Sequence, residues 1–407
     1  MLRFLTAGES HGQGLLATLE GLPAGLQIDF EAITVELRRR QGGYGRGQRM
    51  AIETDRAEIL SGVRRGRTTG APLAMLVRNK DWKNWQNTMH VEFEAPEGST
   101  GANRAAVVRP RPGHADLAGA LKYDHDDIRD VLERASARET AARVAIGAIA
   151  RQLLRAVGCE IASHITGIGT VVRPAGANVP FASVQAMALD APLRCTDPEL
   201  ERKMIAAIDA AKEAGDTLGG SFEVIACNVP VGLGSYVQWD RKLDGRLAQA
   251  LMSIPAIKAV AIGEGVEGAR RPGSQVHDEI VADRNAPAGT PIIRRPTNRA
   301  GGLEGGVTNG EELRVTGYMK PISTLMKPLR SVDLTTLEEE PAAIERSDVC
   351  AVPAAAVVAE AMVGLILADS LLERFGGDSM TDLVARVAST GDRVRGRLSR
   401  RAAATRA

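Results

Sequence analysis

Between Thr140 and Leu154 the chain reads TAARVAIGAIARQLL. Its small and branched apolar residues fall on most sides of a helix, and such a helix is buried on several faces rather than one. Asp126 to Leu154 therefore predicts helix in two pieces, the second beginning at Thr140. A second stretch of this kind runs from Pro353 to Phe375 and stops at Gly376-Gly377, residues that end helices. Around these two the pattern supplies shorter elements. Asp29 caps a helix to Arg40, with Ile33 and Leu37 on one face. Asp197-Pro198 opens another helix, with Gly215 beyond its end, and Leu243–Met252 is a further one. Leu73–Val77, Cys159–Val172, Ser221–Val231, Ile257–Ile262 and Leu313–Met319 read as strands. Strands and helices alternate irregularly, without repeats or a low-complexity linker. This predicts one large α+β domain over residues 1–380, followed by an Arg-rich, loosely attached tail over 381–407.

Composition narrows the function. The chain has 407 residues, 44% of them hydrophobic and 25% charged, which fits a globular protein and excludes a disordered one. The formal net charge is +1, too small for most polyanion-binding proteins of this size. Four cysteines (159, 195, 227 and 350) lie far apart, so neither a disulfide framework nor a zinc knuckle is expected, and a reducing cytoplasm fits. The N-terminus lacks the apolar core of a signal peptide. The longest apolar runs, Val349–Ala359 and Ala361–Ala368, are split by Glu360 and fall short of the roughly 18–20 residues of a membrane span. Two biases remain. The chain has 43 glycines, and 42 of its 51 basic residues are arginine, the side chain whose fork of donors holds oxyanions. A GC-rich coding sequence accounts for most of the arginine excess, but not for where the glycines cluster.

Six clusters could carry chemistry. Gly8-Glu9-Ser10-His11-Gly12 places a histidine in a turn where backbone can approach a ligand. The run from Arg38 to Arg49, RRRQGGYGRGQR, holds five arginines and four glycines, a mouth for a small multiply charged anion or an RGG-like nucleic-acid segment. In Arg109-Pro-Arg-Pro-Gly-His-Ala-Asp116 the prolines stiffen the chain, so His114 is held beside Arg111 and Asp116; no further ligands complete a metal site there. Arg134-Ala-Ser-Ala-Arg-Glu139 precedes the buried helix and reads as an anion-binding helix start or a plain capping box. Asn298 to Gly310 has two glycine pairs, and Lys320-Pro-Ile-Ser-Thr324 after it suits a phosphate, though no Walker loop or Rossmann glycine motif occurs. Arg346-Ser-Asp-Val-Cys350 leads into the long helix, where Asp348 is either a cap or a base.

In this order, these segments resemble the chorismate synthase family. The match runs from TAGESHG at Thr6–Gly12 to RSDVCAVPAA at Arg346–Ala355, through RRRQGGYGRG, RPRPGHAD, ERASARETAARVA, GDTLGG, GLGSYVQWDRKLD, GSQVHDE, NRAGGLEGG and MKPIST. The resemblance implies a lyase of the shikimate pathway that makes chorismate by anti-1,4-elimination of phosphate from 5-enolpyruvylshikimate 3-phosphate. It implies reduced FMN (FMNH2) as cofactor, with no net redox change. NADPH enters only as an indirect reductant, through an external flavin reductase. It also implies a cytoplasmic homotetramer and a sandwich of antiparallel sheets with helices packed between them. No nucleic acid or membrane partner and no metal are expected.

The family's residue roles carry over as follows. His114 resembles the acid for the departing phosphate, His11 the proton donor to the flavin, and Asp348 the group that helps remove the substrate proton. Ser10 and Ser136 resemble serines that tune these transfers. Flavin contacts are implied for Arg134, Ala135, Ser136, Pro255, Ala256, Gly305, Lys320, Pro321, Ile322, Ser323, Thr324 and Arg346. Arg40 and Arg46 match NADP positions of the family, although their chemistry suits substrate anions, together with Arg49 and Arg138.

Overall fold

The computed structural model describes residues 1–47, 54–174, 176, 178–282, 293–344 and 348–404, with side chains as far as residue 396. Two antiparallel sheets enclose the helices. The first comprises β1 (Arg3–Ala7), β2 (Gly14–Glu20), β3 (Ala57–Ser61) and β4 (Leu73–Arg78), in the order β1-β2-β4-β3. The second comprises β5 (Glu160–Ile168), β6 (Val171–Val172), β7 (Gly220–Cys227), β8 (Ile257–Ile262) and β9 (Leu313–Met319), in the order β8-β9-β7-β5-β6. Alternation sets the inward face of the first sheet: Leu15, Ala17 and Leu19 of β2 lie beside Leu73, Met75 and Val77 of β4, all buried.

The main helices are α1 (Phe30–Gln41), α2 (Asp116–Tyr123), α3 (Arg129–Arg134), α4 (Thr140–Arg155), α5 (Pro198–Glu213), α6 (Leu243–Met252), α7 (Val352–Phe375) and α8 (Met380–Ala404). Helix α4 packs on β2 and β4, α7 packs on β5 and β7, and the two helices pack on each other. The result is the sandwich implied by the resemblance. The crossing is close because Gly147 meets Ala361: a Cβ on Gly147 would lie 2.3 Å from that of Ala361. Asp29 caps α1 by accepting from the Ala32 N–H, and Asp197 caps α5 ahead of Pro198, as their positions predict.

Three expectations change. Helix α7 is long and apolar enough to cross a membrane by length and composition, so Glu360 does not shorten it below a span; it is a core helix because 89% of its most apolar window is buried within the protein. Strand β7 ends at Cys227 rather than Val231. The C-terminal segment is helix α8, not a loose tail: Leu383 is fully buried, and Met380 and Val387 pack on the core. Arg386, Arg393 and Arg395 are exposed, and the arginine content masks this short apolar stripe in the composition.

A buried ion cluster ties the core together. Glu360 of α7 has no solvent contact and accepts from Arg39 of α1 at 2.7 and 2.8 Å, from Ser163 of β5 at 2.5 Å and from Arg151 of α4 at 2.8 Å. Arg39 and Arg151 also share Glu36. Burial by itself pushes the Glu360 carboxyl up, but Arg39 and Arg151 outweigh it and hold it below the usual carboxylate range. A depressed carboxyl stabilises the fold fully above its unfolded-state value, and that stabilisation is lost as pH falls through the folded value. Glu360→Gln should therefore lower unfolding free energy at neutral pH by about 3–5 kcal/mol. Between neutral pH and about pH 3, urea denaturation should show the wild type losing stability more steeply than the variant.

Candidate active site

The site lies where the chain enters and leaves the sandwich helices. After β1 the chain turns through Gly8–Gly12 and meets the end of α3: the Ser10 N–H donates to the Glu133 carbonyl at 3.0 Å. Ser136 Oγ donates to Ser10 Oγ at 3.2 Å, so the two serines are joined. Nδ1 of His11 is 2.8 Å from Glu133 Oε1, and its backbone N–H donates to Glu133 Oε2 at 2.7 Å. The ring stacks on Trp85 with centroids 3.9 Å apart, and the Arg104 guanidinium lies over the same indole. Arg134 reaches back to the Thr6 and Gly8 carbonyls. The expected capping box at Ser136 is only half made. Ser136 Oγ accepts from the Arg138 N–H, but Glu139 instead accepts from Thr6 and Arg143.

The Arg/Gly run divides among separate tasks. Arg38 is exposed, Arg39 goes to the core cluster, and Arg40 turns to the site. Buried Asp55 accepts from Arg40 at 3.2 Å and from Arg138 at 2.6 Å. Burial draws the Arg40 guanidinium down to about 10 against the pull of Asp55, with Arg138 and Arg46 adding to the drop. Arg46 pairs with Asp348 at 2.5 Å, and the Gly47 N–H donates to the same carboxylate at 2.7 Å. The glycines here do not form an open mouth. Gly45 has φ +85°, and its carbonyl accepts from the Val349 and Cys350 N–H groups, docking the run on the entry to α7. Arg39 and Arg40 are therefore spent on internal pairs, and an RGG-like nucleic-acid segment is not favoured.

His114 stands at the start of α2, with its Nδ1 bonded to Asp116, and Arg111 donates to Asp116 through N, Nε and Nη2. Lys320 Nζ donates to the Gly113 carbonyl at 2.7 Å, bringing the Lys320–Thr324 segment to this histidine. Burial, then the nearby Lys258, lowers the Lys320 ammonium from its ordinary value. The Lys320 N–H donates to the carbonyl of Ala256, a residue held at φ +67°. Thr217 Oγ1 donates to the Ile322 carbonyl, and the Leu218 N–H to the Val349 carbonyl, so one strap joins this segment to the neighbour of Asp348. Arg143, bonded to Ser253, links the Glu139 side to the corner that carries Pro255 and Ala256. Gly305, at φ +61°, lies where an added Cβ would meet the Tyr236 Cβ at 3.9 Å. Arg49 and Arg346 lie outside the described residues. Sequence reasoning missed Asp55, Glu133 and Trp85, whose roles depend on contacts across the fold, and gave Thr217 no role although GDTLGG stood out.

Fold and site together define an enzyme for a small polyanion, with two carboxylate-braced histidines among buried guanidiniums. The chorismate synthase family model matches residues 2–372. The chain is 55% identical over 382 residues to the chorismate synthase of Solibacter usitatus, covering 94% of this chain and 96% of that one. With the chorismate synthase of Moorella thermoacetica it shares 57% over 390 residues, covering 96% and 98%. A crystal structure of chorismate synthase aligns with a TM-score of 0.74 at 43% identity, over 97% of this chain and 98% of that one. The chain belongs to the chorismate synthase family. It is a lyase that forms chorismate, and the family's reaction uses a reduced flavin.

Asp55 accepts from both Arg40 and Arg138, and all three are buried. Asp55→Asn removes the charge that both guanidiniums share in a poorly solvated place, and should destabilise the fold by about 3–5 kcal/mol. A fall in the urea midpoint without a change in slope is the expected reading.

Proposed function

We propose that the chain eliminates phosphate from 5-enolpyruvylshikimate 3-phosphate with reduced FMN as its flavin. The carrying observation is the contact of Lys320 with Gly113, which sets a phosphate-type donor group beside His114. The donor set suits a flavin phosphate: an ammonium at Lys320, hydroxyls at Ser323 and Thr324, and a guanidinium at Arg134. Ala135, Ser136, Pro255, Ala256, Pro321 and Ile322 would border it, with Arg346 and Gly305 completing the set. When bound, the reduced flavin supplies electron density to an electron-poor reacting centre without net redox change.

The chain's own groups do the rest. His114 delivers a proton to the departing phosphate oxygen. Asp348, paired with Arg46 and accepting from the Gly47 N–H, stands on the proton-accepting side. His11 holds a proton on the flavin side, and the linked Ser10 and Ser136 hydroxyls hold the hydrogen bonds beside it. Arg46, Arg49 and Arg138 attract the substrate's carboxylates and phosphate. Arg40, closed in behind Asp55, contributes through its field, which favours substrate anions over a direct NADP contact.

The catalytic domain is taken as residues 1–380, with α8 as its docked C-terminal helix. The flavin is reduced by a separate reductase that uses NADPH. The assembly is a cytoplasmic homotetramer. Under anaerobic conditions, reduced FMN should support phosphate release and oxidised FMN should not; turnover indifferent to flavin would overturn the reading. His114→Ala and Asp348→Asn should each cut turnover by about 10²–10⁴-fold while FMN binding, followed by flavin fluorescence, persists. Loss of FMN binding as the main effect would show the roles to be wrongly assigned.

A further inference from the structure

The two histidines are supported in the same way. Each presents Nδ1 to a carboxylate closed off from solvent: the Glu133 side chain is 0% exposed and that of Asp116 1%. An ionised carboxylate only accepts hydrogen bonds, so the nitrogen facing it must carry the hydrogen. Burial would push the Asp116 carboxyl up, but the hydrogen bonds from His114 and Arg111 outweigh it and keep it well below the ordinary carboxylate range. Asp116 is therefore an acceptor at working pH.

The surroundings of His114 make this contact decisive. Arg111 Nη2 also lies 3.1 Å from His114 Nδ1. A guanidinium only donates, so it could bond a bare Nδ1 and drive the hydrogen to Nε2. Two tautomers are thus available, and Asp116 selects between them. With the carboxylate in place, Arg111 spends its hydrogens on Asp116 and the ring spends Nδ1–H there too. Nε2 is then the nitrogen left for exchange. Lys320 bonds the carbonyl of neighbouring Gly113, and His114, Arg330 and Glu339 line a cavity of about 770 Å³. Glu133 acts on His11 with both oxygens, one on Nδ1 and one on the backbone N–H, while Trp85 fixes the ring plane.

We infer that Asp116 and Glu133 are positioning residues for the reaction, each holding its histidine with the hydrogen on Nδ1 so that Nε2 is the proton-exchanging atom. The inference rests on the reading of His114 and His11 as proton donors given above. Asp116→Asn is the informative change. The Asn amide must turn its oxygen to the Arg111 donors, which leaves its NH2 facing His114, so Nδ1 becomes the acceptor and the hydrogen moves to Nε2.

The test uses the full chain labelled with ¹⁵N-histidine, which has six histidines to resolve. Long-range ¹H–¹⁵N spectra are recorded where the rings are neutral, with His114→Ala and His11→Ala assigning the two signals. The wild type should show both in the Nδ1–H form. Asp116→Asn should convert the His114 signal to the Nε2–H form and cut kcat by about 10²–10⁴-fold, with KM and FMN binding little changed. Asp116→Glu, which restores the carboxylate, should recover the Nδ1–H signal and part of kcat; it reads the same quantities should the Asn variant fold poorly. Glu133→Gln should act on the His11 signal alone. An unaltered His114 tautomer in Asp116→Asn, or unaltered kcat in a chain that His114→Ala inactivates, would overturn the inference. Full turnover in His114→Ala would instead strike at the role of His114 itself.

Discussion

A carboxylate without water in the middle of the most apolar helix constrains much of the rest. Glu360 can stay ionised only because α1 and α4 each bring it an arginine. That requirement fixes how α1 rotates about its axis. Successive helix residues point about 100° apart, so once Arg39 is turned inward to Glu360, Arg40 is aimed at Asp55 and Arg138, and Arg38 is left at the surface. One buried charge in the core therefore sets the orientation of a charge in the site. The segment leading into α7 carries Asp348 and receives Gly45, so Arg39 and Gly45 of the Arg/Gly run are both anchored to α7 and its entry.

What was legible in the sequence follows from the range of the forces involved. The boundaries of α1, α5 and α7 could be read because caps, prolines and glycines act within a few residues. The partner of Leu313 in the second sheet is Ala226, and that of Cys227 is Glu160; nothing local in any of these residues names its partner. Asp55, Glu133 and Trp85 were hidden for the same reason. Each is an ordinary surface-type or loop residue until the fold brings it to Arg40 or His11. The docking of the C-terminal helix was not legible because composition averages over faces: a helix can be rich in arginine and still dock through Met380, Leu383 and Val387. The site motifs were readable as a set, through family resemblance, whereas the residues that brace them were not.

The glycine excess separates into two physical uses. Gly147 lies at a helix crossing with no room for a side chain, and it serves the core. Gly113, at φ +81°, turns the chain so that its carbonyl meets Lys320; a Cβ there would stand 3.3 Å from Nζ. The first use sets the separation of the layers, the second sets the distance between His114 and the Lys320 segment. A count of glycines cannot tell these apart, but the backbone angle and the neighbour can.

The charge distribution resolves an apparent conflict between a net charge of +1 and a substrate that carries a phosphate and two carboxylates. What matters to a bound anion is the local excess of charge and the solvent that screens it. Around Asp55 two guanidiniums share one carboxylate, and Lys320 stands beside His114 with no carboxylate bonded to its ammonium among the described residues. Elsewhere the balance is closer: Arg39 and Arg151 are matched by Glu360 and Glu36, and many surface arginines pair with neighbouring glutamates, as Arg78 does with Glu58. Positive potential is thereby withdrawn from the surface, where counterions would screen it within about 10 Å, and kept where burial preserves it. A chain can be almost neutral and still favour a small anion locally, where its cations outnumber the carboxylates they share.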